Sequence, residues 1–220
     1  MAKSIYDKKM EEIEGEIISL GNKCVDMLNN SVSSFLEHNI ESAEKSIKAY
    51  KELKKEGKNI RKKCASIIAL QRPVASDLRR LAYVFNIIPY FEEIGHSASK
   101  IAKITIKSTE KPHITCESLI IMSTYMTMIL SDILKAYKDK DEELALTIYK
   151  REFRKKDTKT ERLFNNINNE MINYMADNPN GALEASKILC VGKYLETVGS
   201  SIINIADIIL YIISGEDVER

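Results

Sequence analysis

An all-α fold built from two related three-helix halves is predicted by three features of the sequence. Turn residues are scarce, with Gly at 8 and Pro at 4 in 220 residues. A β-rich chain would need many more to close its hairpins. Apolar residues recur at steps of three and four almost throughout. In 78–102 the series Leu78, Leu81, Val84, Phe85, Ile88 and Phe91 continues through Gly95, Ala98 and Ala102, which marks one face of a helix. A repeat also runs through the chain at an offset of about half its length. Residues 90–102, YFEEIGHSASKIA, match residues 194–206, YLETVGSSIINIA, at six of thirteen positions. Upstream, NIESA at 39–43 matches DEELA at 141–145.

The elements follow in order. Polar breaks divide the apolar pattern into six long helices near 3–37, 40–70, 73–108, 116–138, 141–176 and 181–214. Long helices joined by short links pack antiparallel as a bundle. Pro73 and Pro179 stand 106 residues apart, each at the start of a predicted helix, where proline is favoured because its missing N–H has no intrahelical acceptor. Ser76-Asp77, just after Pro73, reads as helix-start capping chemistry. Pro89 falls inside the third helix, where it should bend the axis. The predicted organisation is a first three-helix repeat at 1–108, a linker at 109–115, a second repeat at 116–214 and a tail at 215–220.

Charge and composition limit the function classes. Lys and Arg total 33 against 32 Asp and Glu. Nucleic-acid binding would call for a basic excess, so no nucleic-acid partner is expected. The N-terminus is charged and periodic, without the apolar core of a signal peptide. The apolar stretches 118–134 and 202–213 contain Asp132 and Asp207 and fall short of about 18 uninterrupted apolar residues. They are expected to be buried helix faces, not membrane spans. Cys24, Cys64, Cys116 and Cys190 are widely separated and read as free core thiols in a reducing cytoplasm.

Few residues suggest chemistry. Glu92 and His96 are four apart on a helix and share a face, and both side chains can ligate Zn or Fe. Glu93-Ile94-Gly95-His96 has E-x-x-H spacing. Di-iron bundle enzymes need two such motifs and two further glutamates, and a chain with only His38, His96 and His113 has no second copy. Asp157 and Glu161 make an i,i+4 acid pair. Basic runs at 51–63 and 150–162 carry seven Lys or Arg each; they read as solvated helix faces or as a patch for phosphate, a membrane surface or an acidic partner. No Gly-rich phosphate loop, G-x-S-x-G or kinase-like motif occurs.

Three segments carry a family resemblance. ALQRPVASDLRRL at 69–81 resembles A-R-Q-Q-P-V-A-S-D-L-R of the PhoU family. YFEEIGHSASKIA resembles D-L-E-R-I-G-D-H-A-x-N-I-A of that family. KYLETVGSSIINIADIILYIISGEDVER at 193–220 resembles its closing block, which ends in G-E-D-V-R-H. The resemblance covers nearly the whole chain. It implies a cytoplasmic, non-enzymatic regulator of phosphate uptake and phosphate-starvation signalling. The implied partners are the ATPase subunit of the phosphate ABC transporter and a membrane sensor kinase, and the implied assembly is a homodimer. The alternative function is a metal-dependent enzyme or a metal-storing helical bundle.

The family motif E-x-x-x-D, associated with bound metal, is degraded here. The first copy reads Glu92-x-x-x-His96 and the second Glu196-x-x-x-Ser200. Glu93 and Thr197 replace the Arg that follows each glutamate, and Lys100 stands in the first half where Asn204 stands in the second. Glu92, His96 and Glu196 are therefore the candidate metal ligands. Ser200 is a poor substitute for carboxylate, and His96 would favour Zn, Ni or Fe over Mg or Ca. Metal binding is expected to be weaker than in typical relatives, or absent.

Overall fold

A computed structural model describes residues 5–71, 75–153 and 158–214. Among them there are seven α-helices and no strand: α1 (Ile5–Glu37), α2 (Ile40–Gln71), α3 (Ala75–Lys107), α4 (Glu117–Asp139), α5 (Glu142–Phe153), α6 (Lys159–Asp177) and α7 (Ala182–Ser214). A single 3-10 turn, Pro179–Gly181, leads into α7 with Pro179 at its start. Pro73 and the tail 215–220 lie outside the described residues.

The repeat is visible in the turns. His38 and Lys140 both adopt a left-handed backbone, with φ of 54° and 56°. The next residues, Asn39 and Asp141, each cap the following helix, their side-chain oxygens accepting from Ser42 N–H at 2.9 Å and Leu144 N–H at 3.0 Å. Each of their own N–H groups donates back five residues, Asn39 to Ser34 O and Asp141 to Ala136 O, both at 2.9 Å. This Schellman-type ending satisfies carbonyls that the terminated helix leaves free. The short NIESA/DEELA match thus encodes one turn used twice.

The fifth helix departs from expectation. The pattern predicts one helix over 141–176, but α5 ends at Phe153 and α6 starts at Lys159. The cause is local. Thr158 is extended and its hydroxyl accepts from Glu161 N–H, while the Glu161 carboxylate accepts from Thr158 N–H. This capping box starts a new helix, and T-x-x-E was present in the sequence to signal it. Glu161 is therefore a cap; Asp157, its partner in the predicted acid pair, lies outside the described residues.

α1–α3 pack together, α4–α7 pack together, and the two groups join through α3 against α7 and α1 against α4. One apolar core runs through both, from Ile17 and Leu20 past Phe91 and Ile94 to Ile129 and Ile202. Burial of such side chains stabilises by about 1.5–3 kcal/mol each. The Glu14 carboxylate of α1 adds a polar tie between the groups, accepting from Arg80 of α3 and from Lys140 at 3.2 Å. At the other end, Glu184 of α7 accepts from the N–H groups of His113 and Ile114, fastening the connection between α3 and α4.

α3 runs as a helix through Pro89. Pro89 is exposed, and its missing N–H removes one bond from the helical ladder. Cys24, Cys64 and Cys116 are buried, whereas Cys190 is exposed; the expectation of four core thiols fails there because Cys190 falls on the outer face of α7. α4 and the segment Pro179–Ser214 are long and apolar enough to cross a membrane by length and composition, and half of each apolar window is buried inside the bundle.

Candidate functional site

The two copies of the repeat place their glutamates in different surroundings. Glu92 points from α3 onto α2, where its Oε1 accepts from Arg61 Nη2 at 2.7 Å. The approach is close because residue 57 is glycine. A Cβ there would lie 2.8 Å from Glu92 Oε1 and 2.9 Å from Ile88 Cγ2. One turn on, the His96 ring rests on Tyr50 of α2, with centroids 5.5 Å apart and planes tilted by 56°. Burial pushes the Tyr50 hydroxyl up from its ordinary pKa, and the charges of Glu92 and Glu93 add to the shift. Glu93 itself is exposed, so the E-x-x-H spacing does not aim both side chains inward as di-iron chemistry demands.

Glu196 stays on its own helix. Its carboxylate pairs with Lys193, one turn back on α7. Ser200, at the degraded motif position, donates its hydroxyl to the Glu196 carbonyl at 3.3 Å, and Asn204 donates to the Ser200 carbonyl at 2.9 Å. These are side-chain to backbone contacts within a helix and leave no converging set of ligands.

Among the described residues no three His, Cys, Asp or Glu side chains come together as a metal-holding group. Glu92 with His96 in the first half and Glu196 in the second are candidates in separate places, on α3 and α7. A cation needs several oxygen or nitrogen ligands converging; of the candidate carboxylates, Glu92 faces a neighbouring helix and is held there by a guanidinium.

A polar cluster that the sequence reading missed lies in the second half, where α5 ends. Glu152 is 1% exposed. Its Oε1 accepts from Tyr125 O–H and its Oε2 from Thr160 Oγ1 at 2.9 Å. Arg151 stands beside it, Nε to Oε1 at 3.8 Å. Two cations flank the Tyr125 ring: Lys159 Nζ at 4.1 Å from its centroid and the Arg151 guanidinium at 5.3 Å, both within cation–π range. Burial raises the Tyr125 pKa, and the hydrogen bond to Glu152 raises it further. α7 presses on this cluster at Gly199, where a Cβ would meet Thr160 Cγ2 at 2.6 Å. The signal was legible: Ala145, Ile148, Tyr149 and Glu152 follow helical spacing, which puts a carboxylate on the apolar face.

The basic runs separate by element. In 51–63, Arg61 and Lys63 are ion-paired, Lys63 with Glu12 at 2.6 Å and Glu16 at 2.5 Å; Lys51, Lys54, Lys55, Lys58 and Lys62 are exposed. Residues 154–157 of the second run lie outside the described residues.

Comparison with known proteins matches the same architecture. A PhoU phosphate transport system accessory protein homolog from Clostridium acetobutylicum is 27% identical over 221 aligned residues, covering 100% of this chain and 99% of that one. The Escherichia coli K12 protein called phosphate-specific transport system accessory protein PhoU is 24% identical, with 96% of this chain and 86% of that protein covered. Among solved structures, PhoU from Pseudomonas aeruginosa aligns with a TM-score of 0.87 at 21% identity, over 96% of this chain and 100% of that one. The phosphate transport system regulatory protein PhoU from Streptococcus pneumoniae aligns with a TM-score of 0.84 at 23% identity, over 98% and 100%. These likenesses reach from end to end of the helical array. The model of the PhoU domain matches residues 17–105 and again 119–209, so the chain belongs to the PhoU family.

Proposed function

We propose that this chain is an accessory protein of a phosphate transport system and acts there as a cytoplasmic, non-enzymatic regulator. The observation that carries the reading is the double match to the PhoU domain, together with full-length similarity to proteins named as phosphate-specific transport system accessory proteins. Within this reading the chain restrains the phosphate ABC transporter by contact with its ATPase subunit and passes phosphate status to a membrane sensor kinase. The long helices of the bundle supply broad charged faces for such contacts. Functional units at 1–108 and 116–214, joined by 109–115, and assembly as a homodimer belong to the same proposal.

The test is co-purification of the chain with the phosphate-transporter ATPase of its own organism, alongside phosphate uptake in a deletion strain. Retention of the ATPase and unrestrained uptake on deletion are expected. No retention together with normal uptake would refute the reading. Light scattering at micromolar concentration should give the mass of two chains. The metal-dependent alternative receives no support from the donor chemistry at Glu92, His96 and Glu196, and elemental analysis of untagged protein should find no stoichiometric Zn, Ni or Fe. Stoichiometric metal lost on Glu92→Ala would restore that alternative.

A further inference from the structure

α2 lies at the edge of the bundle, packed against α1 and α3 only, among the substantial helix contacts. Its outer face has an unusual chemistry. Lys48, Lys51, Lys55, Lys58 and Lys62 follow at steps of three, four, three and four, which aligns them along one side of a helix. All five are exposed. At about 1.5 Å per residue the row extends roughly 21 Å. None of the five forms an ion pair among the described residues; the paired cations of α2 are Lys45, Arg61 and Lys63. Glu44 closes the row at its N-terminal end, and Glu52 stands on its flank. Towards the C-terminus the same face continues as Ala65, Ser66 and Ala69, with Leu70 beside them 77% exposed.

We infer that the outer face of α2 docks on an anionic membrane surface, with the lysine row over the headgroups and Leu70 at the apolar boundary. Three features favour a lipid surface over an acidic protein segment. The row is made of lysine throughout. A flexible ammonium on a long stem suits diffuse charge, whereas arginine is the residue of fixed, bidentate pairing. The row is straight and its lysines are free of ion pairs among the described residues, as a flat charged plane requires. It also runs into small residues and an exposed leucine, the amphipathic ending that lets one end of a helix sink into the interface. The whole chain is formally only +1, so the attraction is local to this face and not a general cationic effect.

The test is co-sedimentation of the full-length chain with vesicles of phosphatidylcholine containing phosphatidylglycerol, compared with phosphatidylcholine alone. Binding to the anionic vesicles only is expected, weakening as salt is added. Each lysine near such a surface contributes about a fivefold gain in affinity, so K51Q/K55Q/K58Q should bind roughly 100-fold more weakly. L70E should also bind more weakly. The control K135Q/K138Q/K150Q removes equal charge from exposed positions on α4 and α5 and should bind like the unmodified chain; circular dichroism should be unchanged in every variant. Four results would overturn the inference: no binding by the unmodified chain, equal binding to neutral vesicles, equal loss in the control variant, or L70E binding the vesicles as tightly as the unmodified chain.

Discussion

In the first half, α2 passes the repeat glutamate of α3 as an unbroken helix. In the second half, the corresponding path is divided between α5 and α6 before it meets α7. The contacts differ accordingly. Glu92 reaches across to Arg61, and His96 rests on Tyr50. Glu196 pairs within α7, and the buried polar contact between helices passes to Glu152, Tyr125 and Thr160. Duplicated sequence has preserved helices and turns without preserving partners. A side chain's neighbour across a helix interface depends on the register of the facing helix, and the new start at Thr158 resets that register.

The largest expected contrast is in thiol reactivity. Cys24, Cys64 and Cys116 are buried and Cys190 is exposed. Burial pushes the Cys64 thiol up to about 11 and the Cys116 thiol up to about 12, which further starves them of reactive thiolate. One thiol per chain should react at once with a disulfide reagent in the native state. The other three should wait for opening, roughly 1000-fold more slowly or worse. Prompt reaction of a second thiol, and its identity by mass spectrometry, would show which half opens first.

The two glutamates give the next contrast. Glu152→Ala strips a buried acceptor from two hydroxyl donors and should cost about 3 kcal/mol in urea unfolding. Glu92→Ala breaks an ion pair whose side chains remain 32% and 21% exposed, and should cost no more than about 1 kcal/mol. Equal losses would mean that the polar contact of the first half is as much a structural pin as that of the second.

A smaller difference is expected at the close approaches. Gly199→Ala drives a methyl group against Thr160, which is 4% exposed and β-branched, so little can move. About 2 kcal/mol of overpacking is expected. Gly57→Ala meets the far end of Glu92, which can swing away, and Ile88. There the gain in helix propensity, up to about 1 kcal/mol, offsets most of the clash. The ratio of the two losses, read from thermal unfolding, measures how much more tightly the second interface is packed.

The smallest effect is a pH dependence confined to the first half. The hydrogen bond and charge of Lys63 hold the Glu12 carboxyl below its ordinary value. A depressed carboxyl contributes stability above its unfolded pKa and loses it as pH falls through the folded value. Glu12→Gln should therefore lower stability slightly at neutral pH and converge with the unmodified chain at acid pH, which flattens the acid limb of the stability curve below about pH 4.5. A loss at acid pH as large as that at pH 7 would contradict the assignment.

Much of this could be read in the sequence. The helix count missed only the break in the fifth helix, and T-x-x-E at 158–161 marked that break in advance. The turn repeat was visible as NIESA and DEELA. Glu152 could have been flagged from its place on an apolar face. The partners of Glu92 and Glu196 could not, because Arg61 lies among seven basic residues in its run and nothing local distinguishes it.

The sequence by itself determined what depends on neighbours along the chain: helical periodicity, caps, turns and the doubling of the unit, since these follow from the spacing of side chains on one backbone. Only the tertiary structure decided what depends on neighbours across space. It selected Arg61 for Glu92 and Lys193 for Glu196, left Cys190 outside the core and left the lysine face of α2 uncovered. These outcomes rest on the register and rotation of one helix against another, which the whole packed core sets at once.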